Sequence, residues 1–260
     1  MNILVLMKMV PDVVEELEVS NDGKALDTEF LRLILSESDD HAMEEALLLK
    51  ERHGGSVTVL AVDAPEVDAA LFTALAKGAD RAIKITADGA GLGTRAAAHM
   101  LAAVIREAAG IPKPDLILTG TQAIDDLDGL VAPMVAEELG LPYLGIVTQV
   151  APAGERAVLV VKEYPDSVRG EFQVTLPAAL GIQAAEKPPR YVPVAKVRAA
   201  MKSQTIQEVT VPTMAEAGAP LAEVVEMSKP AVSGQAEMLE GSPEDVAGKV
   251  REILAGRGLI

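Results

Sequence analysis

Short apolar runs alternate with helical patterns along most of the chain. The runs at 3–7, 57–62 and 116–119 are almost continuously apolar, which is typical of strands covered on both faces. Further strands are predicted at 81–85, 144–150 and 158–162, and helices at 42–51, 65–77, 94–109 and 129–139. This alternation predicts an α/β fold, a doubly wound and mostly parallel sheet with helical crossovers.

The pattern changes after Lys187-Pro188-Pro189-Arg190, which we take as a domain boundary. Residues 1–190 then form the α/β domain, and residues 191–260 form an extended arm. The arm has a strand-like piece at 205–211 but lacks the periodicity of an independent core, so we expect it to pack on another surface. Ser242 and Pro243 predict the start of a final helix, as a cap and a first helical residue.

Charge and cysteine content exclude several classes of protein. The 260 residues contain 23 Lys and Arg against 39 Asp and Glu, a formal charge of -16. So acidic a surface repels nucleic acid and anionic lipid head groups. The chain has no cysteine, which excludes disulfides, iron–sulfur clusters and thiolate zinc sites. With no apolar stretch near the ~20 residues of a membrane span, and no signal-peptide pattern, we expect a soluble, cytoplasmic protein without membrane insertion.

The most informative loop runs from Thr119 to Gly129, between a predicted strand and a predicted helix. In a doubly wound sheet this position is the carboxyl edge, where ligands bind. Gly120 allows close backbone approach, and the free amides of the helix start can hold a phosphate. Asp125, Asp126 and Asp128 oppose a phosphate unless their carboxylates cap amides or point elsewhere. An ordinary acidic loop is therefore the alternative, and no partner carboxylate supports a magnesium site.

No set of catalytic residues emerges from the remaining motifs. His41, His53 and His99 lie in separate elements without metal-ligand spacing. The glycines at 89, 91 and 93 are spaced wrongly for a dinucleotide fingerprint, so we interpret them as a flexible loop capped by Thr94. The sequence has neither a P-loop nor a nucleophile elbow. This favours a binding or carrier role over an enzyme with catalytic side chains of its own.

Separate segments of the chain, in the right order, together resemble the beta (small) subunit of electron transfer flavoproteins. They cover nearly the whole length, and the most specific of them is Gly120-Thr121-Gln122-Ala123-Ile124-Asp125-Asp126. The others are 3–12, 42–51, 74–81, 176–178, 189–191 and the closing helix.

The resemblance implies a Rossmann-like domain of the adenine-nucleotide alpha-hydrolase type that binds AMP. Its partner is a larger alpha subunit that carries most of the FAD site. Electrons pass from an acyl-CoA or other dehydrogenase through FAD to a quinone oxidoreductase and the respiratory chain. In electron-bifurcating members a second FAD replaces AMP. Another class of function, a stand-alone adenine-nucleotide module of the stress type, requires a Gly-x2-Gly-x9-Gly-Ser/Thr loop that this sequence lacks.

The resemblance also implies which residues form the sites. The arm from 191 would form the recognition loop, with Val194 as its apolar anchor on the dehydrogenase. The nucleotide-binding residues would be Leu6, Ser36, Glu37, Ser38, Asp39, Asp63, Gly120, Thr121, Gln122, Ala123, Ile124, Asp125, Asp126, Asp128, Gly129, Leu130 and Val131.

Departures from the family pattern bear on which nucleotide is bound. Ser36-Glu37-Ser38 stands where members usually have Asn-Pro-aromatic, and Leu127-Asp128-Gly129-Leu130 where they commonly have Asp-Ser-Gly-Gln. Val13 occupies the position of a tyrosine found near the flavin in some members. A hydroxyl and an amide that could donate to phosphate are thus replaced by an acid and a hydrocarbon. AMP, FAD and an empty pocket all stay open at this point.

Overall fold

The computed structural model describes residues 1–29, 31–87, 93–107, 110–126, 128–211, 222–230, 236 and 238–260. Its strands are β1 (Asn2–Met7), β2 (Met9–Pro11), β3 (Leu33–Leu35), β4 (Ser56–Val62), β5 (Arg81–Ala87), β6 (Leu116–Gly120), β7 (Tyr143–Pro152), β8 (Ala157–Glu163), β9 (Arg169–Thr175), β10 (Ala178–Ile182) and β11 (Ile206–Val211). Its helices are α1 (Glu37–His53), α2 (Val67–Lys77), α3 (Thr94–Glu107), α4 (Val131–Leu139), α5 (Val194–Ser203) and α6 (Pro243–Gly256).

Nine strands form one sheet in the order β11-β5-β4-β1-β6-β10-β7-β8-β9. The seven strands from β11 to β7 run parallel, and β8 and β9 complete the sheet in antiparallel pairing. The predicted fold class, a doubly wound and mostly parallel α/β sheet, is confirmed. A turn lies at Asn21-Asp22-Gly23, where Ser20 N donates to Ala25 O at 2.9 Å.

Alternate residues of the central strands face opposite sides of the sheet and build two cores. Ile3, Val5 and Met7 of β1 pack in the core that includes residues of α1 and α2. Leu4 and Leu6 of the same strand pack in the core that includes residues of α3 and α4. β1 is therefore buried on both sides, as its unbroken apolar run predicts.

The connections of β1 create a switch point in the sheet. From β1 the chain continues through α1 to β4 on one side, whereas β6, reached later, pairs with the other side of β1. The loops that follow β1 and β6 therefore leave the same carboxyl edge, which is the place where ligand crevices lie in doubly wound sheets. The predicted loop 119–129 lies at this edge.

Residues beyond 190 depart from the expected arm. Residues 194–203 form α5, which the sequence analysis did not predict, and residues 206–211 form β11, which pairs in parallel with β5 at one end of the main sheet. This stretch thus belongs to the sheet of the first domain, because the edge of β5 offers backbone hydrogen-bonding groups that a strand can pair. The docking of the later residues on another subunit stays a prediction.

Two smaller differences concern a pair of short strands and the start of a helix. The β2–β3 pair, Met9–Pro11 with Leu33–Leu35, was not predicted, because three-residue strands carry too little periodicity to be recognised. Thr94 is the first residue of α3 rather than its cap. In the part of the chain that the structure describes, none of the helices combines the length and the hydropathy that a membrane crossing requires.

Candidate functional site

Lys8 joins the two loops of the switch point. It is the first residue after β1, and its Nζ lies 2.8 Å from Asp125 Oδ1 and 2.7 Å from Asp126 Oδ1 in the loop after β6. Burial alone would lower the pKa of the Lys8 ammonium, but its hydrogen bonds to the two carboxylates raise the pKa above the ordinary value. Lys8 thus stays charged, and its single positive charge is shared between Asp125 and Asp126.

Asp39 connects the same two loops through their backbones. It lies in the first turn of α1 and is only 7% exposed. One carboxylate oxygen accepts the N–H of Gly120 at 2.7 Å, and the other accepts the N–H of Lys8 at 2.8 Å. Burial raises the pKa of the Asp39 carboxyl to about 7, although the two N–H groups and the Lys8 charge oppose the shift.

The glycine at 120 is required by the close approach of α1. A Cβ built on Gly120 would lie 2.1 Å from Ser38 Oγ and 2.6 Å from Asp39 Oδ1, both far inside van der Waals contact. Ser38 Oγ donates to Gln122 O at 3.0 Å and lies 3.2 Å from Ser36 Oγ. The loop after β6 is therefore supported by the start of α1, through Ser36, Ser38 and Asp39.

Asp128 caps the approach to α4. Its Oδ1 accepts the N–H of Leu130 at 3.2 Å and the hydroxyl of Thr94 at 3.3 Å. Gly129 has φ +61°, a left-handed conformation that lets the chain turn into the helix. Leu130 occupies the N-cap of α4 and offers its amides no side-chain acceptor. The carboxylate of Asp128 is thus engaged, whereas the first turn of α4 keeps donors for a ligand.

Thr121 ties the loop to the neighbouring strands. Its Oγ1 accepts the N–H of Ile146 at 2.8 Å and donates to Gly181 O at 3.3 Å. Ile146 has φ +60°, a strained value for a β-branched residue. Such outliers often lie at ligand sites, where the surrounding structure holds them in place.

The other predicted nucleotide-binding residues are more scattered. Leu6 is buried within β1, and Glu37 begins α1 with an exposed side chain. Asp63 follows β4 at the same edge of the sheet, 3.9 Å from Lys84 Nζ. Ala123 O accepts the N–H of Asp126 at 3.1 Å, and the side chain of Ile124 is 65% exposed. Val131 is the first residue of α4.

Two features of the site escaped the sequence analysis. Lys8 was not singled out, although a lone lysine directly after a buried strand lies at the ligand edge of such a sheet. Arg95, half-buried at the start of α3, has no hydrogen-bond or ion-pair partner among the described residues. By contrast, Lys84 is paired with Asp68 and Glu208 at 3.0 and 3.2 Å.

The remaining sequence motifs add no further chemistry to this edge. The described residues include no group of three or more His, Asp or Glu arranged to hold a metal ion. Residues 89–92 of the glycine-rich stretch lie outside the described residues. His99, a candidate surface histidine, places Nδ1 2.9 Å from Glu138 Oε2 of α4.

Comparisons with known proteins agree with this architecture. A family model described as an electron transfer flavoprotein domain matches residues 26–214. The electron transfer flavoprotein subunit beta of Methylophilus methylotrophus is 30% identical over 264 residues, which cover 98% of each chain. The subunits of the same name from Clostridium acetobutylicum and Syntrophomonas wolfei are each 33% identical, over 258 and 254 residues. These cover 96% of both chains in the first case, and 97% of this chain and 95% of the relative in the second.

The chain belongs to the electron transfer flavoprotein beta-subunit family. The resemblance found in the sequence is confirmed. Membership in the beta-subunit family implies electron transfer, the involvement of a flavin and an alpha-subunit partner. For this beta-subunit family member, the geometry above shows that Asp39, Asp125, Asp126 and Asp128 at the carboxyl edge are bound by Lys8 and by backbone amides.

The predicted docking residue of this beta-subunit family member lies on a different helix from the predicted nucleotide-binding residues. Val194 begins α5 and is 60% exposed, and Tyr191 just before it is 83% exposed. α5 packs against α2, so this helix is held on the α/β domain. The exposed side chains at its start are thus carried by an ordered helix.

Proposed function

We propose that this chain binds AMP in the crevice between the loops after β1 and β6 and acts as the non-catalytic half of an electron transfer flavoprotein. The observation that carries the proposal is the pairing of Lys8 with both Asp125 and Asp126. Three aspartates in this loop would be expected to repel a phosphate. The pairing with Lys8 reduces the repulsion from Asp125 and Asp126, and Asp128 caps a backbone amide. The carboxylates near the crevice cap amides or bind a lysine.

The phosphate would be held by α4 and by Arg95. The first amides of α4 have no side-chain cap, and the helix dipole favours an anion there. His99, one turn after Arg95, contacts Glu138 of α4, so this side of α3 faces α4. Because side chains tilt toward the N-terminus of their helix, Arg95 is directed toward the loop that precedes α4. One cation that has no ion-pair partner among the described residues suits one phosphate better than the pyrophosphate of FAD.

The redox chemistry would belong to the FAD held mainly by the alpha subunit. When bound, the flavin supplies the accepting and releasing of electrons, so the side chains of this chain bind and position. Val194 would anchor an acyl-CoA or other dehydrogenase, and electrons would pass on to a quinone oxidoreductase and the respiratory chain. As the composition suggests, we place the protein in the cytoplasm.

The later part of the chain, within residues 191–260, would pack on the alpha subunit. α6 forms without a buried residue, stabilised locally by the capping box of Ser242 and Asp245. Val250 and Ile253 on α6 are 41% and 43% exposed. A helix that is capped but buries no face is ready to cover a partner surface.

The test is the nucleotide content of the heterodimer. The chain is co-expressed with an alpha subunit, purified and denatured, and the released nucleotides are identified by mass. We expect one AMP and one FAD per heterodimer. Two FAD without AMP would instead indicate the bifurcating arrangement, and a stable monomer that ignores the alpha subunit would indicate a stand-alone nucleotide module.

A pair of variants ties the AMP to the crevice. Lys8→Met removes the cation shared between Asp125 and Asp126, and the released AMP should fall to a small fraction of the wild-type amount. Lys50→Met is the matched control, because Lys50 binds Asp80 at 2.7 Å at the opposite edge of the sheet. Retention of AMP by Lys8→Met would contradict the proposed location.

A further inference from the structure

Asp39 is a buried carboxylate whose two oxygens bind the starts of two different loops. One oxygen accepts the N–H of Gly120, the last residue of β6, and the other accepts the N–H of Lys8, the first residue after β1. Ser36 N also donates to Lys8 O at 2.9 Å, so α1 and the end of β1 are linked twice. Asp39 thus acts as a staple across the switch point rather than as a surface acid.

We propose that Asp39 is a proton-sensitive positioning residue that controls nucleotide binding in the crevice: ionised, it holds the two loops together, and protonated, it lets them separate and weakens the binding of AMP. This inference rests on the proposed function, because it names the regulation of the same site. Asp39 itself does not have to touch the nucleotide. It acts through the positions of Lys8 and Gly120.

The chemistry of the carboxyl group requires the charged form. An ionised carboxylate accepts hydrogen bonds at both oxygens, whereas the protonated acid carries a hydrogen on one of them. That hydrogen would face either the N–H of Gly120 or the N–H of Lys8, and one of the two hydrogen bonds would be lost. Uptake of one proton from water, with no other bond made or broken, is therefore enough to open one end of the staple.

Loss of either hydrogen bond of Asp39 affects the loop after β6, which we propose to bind the nucleotide. If the Lys8 end is released, the ammonium that binds Asp125 and Asp126 loses its anchor. If the Gly120 end is released, the loop after β6 loses one attachment to α1 and keeps others, such as Ser38 Oγ to Gln122 O and Thr121 Oγ1 to Ile146 N. The staple and the ammonium of Lys8 thus act on one loop from two sides.

The charged groups around Asp39 place this event near neutral pH. From β1 it faces the ammonium of Lys8, which favours the carboxylate, and from the loop after β6 it faces Asp126, which disfavours it. Burial is the largest influence and raises the pKa of Asp39 to about 7. Small changes of pH around neutrality would therefore change the fraction of stapled molecules.

The experiment measures the affinity of AMP for the heterodimer by calorimetry between about pH 6 and about pH 8. If only the stapled form binds, one proton with a midpoint near 7 weakens binding by about tenfold at the acid end. Asp39→Asn mimics the protonated acid, since an amide offers one acceptor oxygen. Its affinity should match that of the acid form of the wild type and should change much less with pH.

Controls separate Asp39 from other titrating groups. The AMP phosphate also titrates near this range, but Asp39→Asn changes neither the phosphate nor any other ionisable group, so the difference between the two proteins belongs to Asp39. Asp115→Asn is the matched control, because Asp115 accepts the N–H of Asn2 at 2.7 Å at the opposite edge of the sheet. It should keep the wild-type pH dependence. Equal pH dependence in wild type and Asp39→Asn would overturn the inference.

A second measurement does not depend on the nucleotide or on the variant. The amide proton resonance of Gly120 in the wild-type protein should titrate with a midpoint near neutrality, as its acceptor gains a proton. If no nucleotide binds at any pH but the Gly120 amide titrates, the proposed function fails and the staple stands. If AMP binds and the amide does not titrate across this range, the staple is wrong and the proposed function stands.

Discussion

Arg190 clamps the buried carboxylate of Glu44. Its Nε and Nη2 donate to Glu44 at 2.8 to 3.0 Å, and its backbone N–H donates to Glu44 Oε2 at 2.9 Å. Glu44 is 3% exposed, and the guanidinium also binds Glu51 on the same helix. These bonds fasten the segment between β10 and α5 to α1, a few residues before α5 begins.

Replacing Arg190 should therefore lower the stability of the folded chain. Arg190→Ala leaves the Glu44 carboxylate buried without its cation, and such a loss destabilises a protein by about 3 kcal/mol or more. Urea unfolding measures the free energy. Arg169→Ala is the control, because Arg169 and Glu163 form an ion pair in which both side chains are exposed. Its loss should lower the free energy of unfolding by about 1 kcal/mol or less. Equal losses in the two variants would show that Arg190 is not a structural clamp.

Gly120 should not tolerate even one added methyl group. In Gly120→Ala the new Cβ meets Ser38 Oγ and Asp39 Oδ1, so the loop or α1 has to shift, at about 1–3 kcal/mol. The melting temperature and the affinity for AMP should both fall. Gly248→Ala on α6 is a suitable control, since a Cβ there meets nothing within 4 Å. A Gly120→Ala protein as stable as the wild type would contradict the close packing.

Arg95 should distinguish AMP from adenosine. Arg95→Ala removes the cation that we propose for the phosphate. We expect AMP to bind at least about tenfold more weakly while adenosine binds as before, because a charge-assisted hydrogen bond contributes about 1.5–3 kcal/mol. Calorimetry with both ligands gives the comparison. Arg106→Ala is the control on the same side of α3, where Arg106 donates to Glu138 O at 2.8 Å. An equal loss for both ligands would assign Arg95 a purely structural role.

The exposed start of α5 should matter for electron transfer and not for folding. Val194→Asp places a charge on the proposed docking surface, so the rate of electron transfer from the dehydrogenase should fall about tenfold or more. Its melting temperature should stay unchanged, since Val194 is 60% exposed. Val168→Asp, at an exposed position beside β9, is the control and should keep the wild-type rate. A normal rate in Val194→Asp would move the docking surface elsewhere.

Stability should also report the protonation of Asp39. The pKa of Asp39 is about 7 in the folded chain and 3.8 in its ordinary state, so between these values the folded chain holds a proton that the unfolded chain has lost. The free energy of unfolding therefore falls as the pH rises through this window, by up to about 1.4 kcal/mol for each pH unit. Asp39→Asn lacks this decrease. In urea unfolding at about pH 5 and about pH 8, the stability of the variant relative to the wild type should therefore be higher at the higher pH. A constant difference would contradict the raised pKa.

The elements that the sequence predicted well are those with a long periodic pattern. β1, α1 and β4 follow directly from apolar runs and from a helix with acids early and bases late. The helix α5 was missed because residues 191–260 were interpreted as an extended arm, and its packing on α2 is a property of the tertiary structure. The loop after β6 was recognised as a candidate site from its place between a strand and a helix.

The sequence by itself determined the alternation of the main strands and helices from β1 to α4, the burial of β1 on both faces and the family. Each of these depends on neighbouring residues or on a matching order of segments. Only the tertiary structure decided which charges meet: Lys8 and Asp125 are 117 residues apart, Asp39 and Gly120 are 81 apart, and Glu44 and Arg190 are 146 apart. Such pairs form because the ends of separate parallel strands come to one edge of the sheet and because a distant segment packs on α1. A local pattern of residues contains no information about which partner will be there.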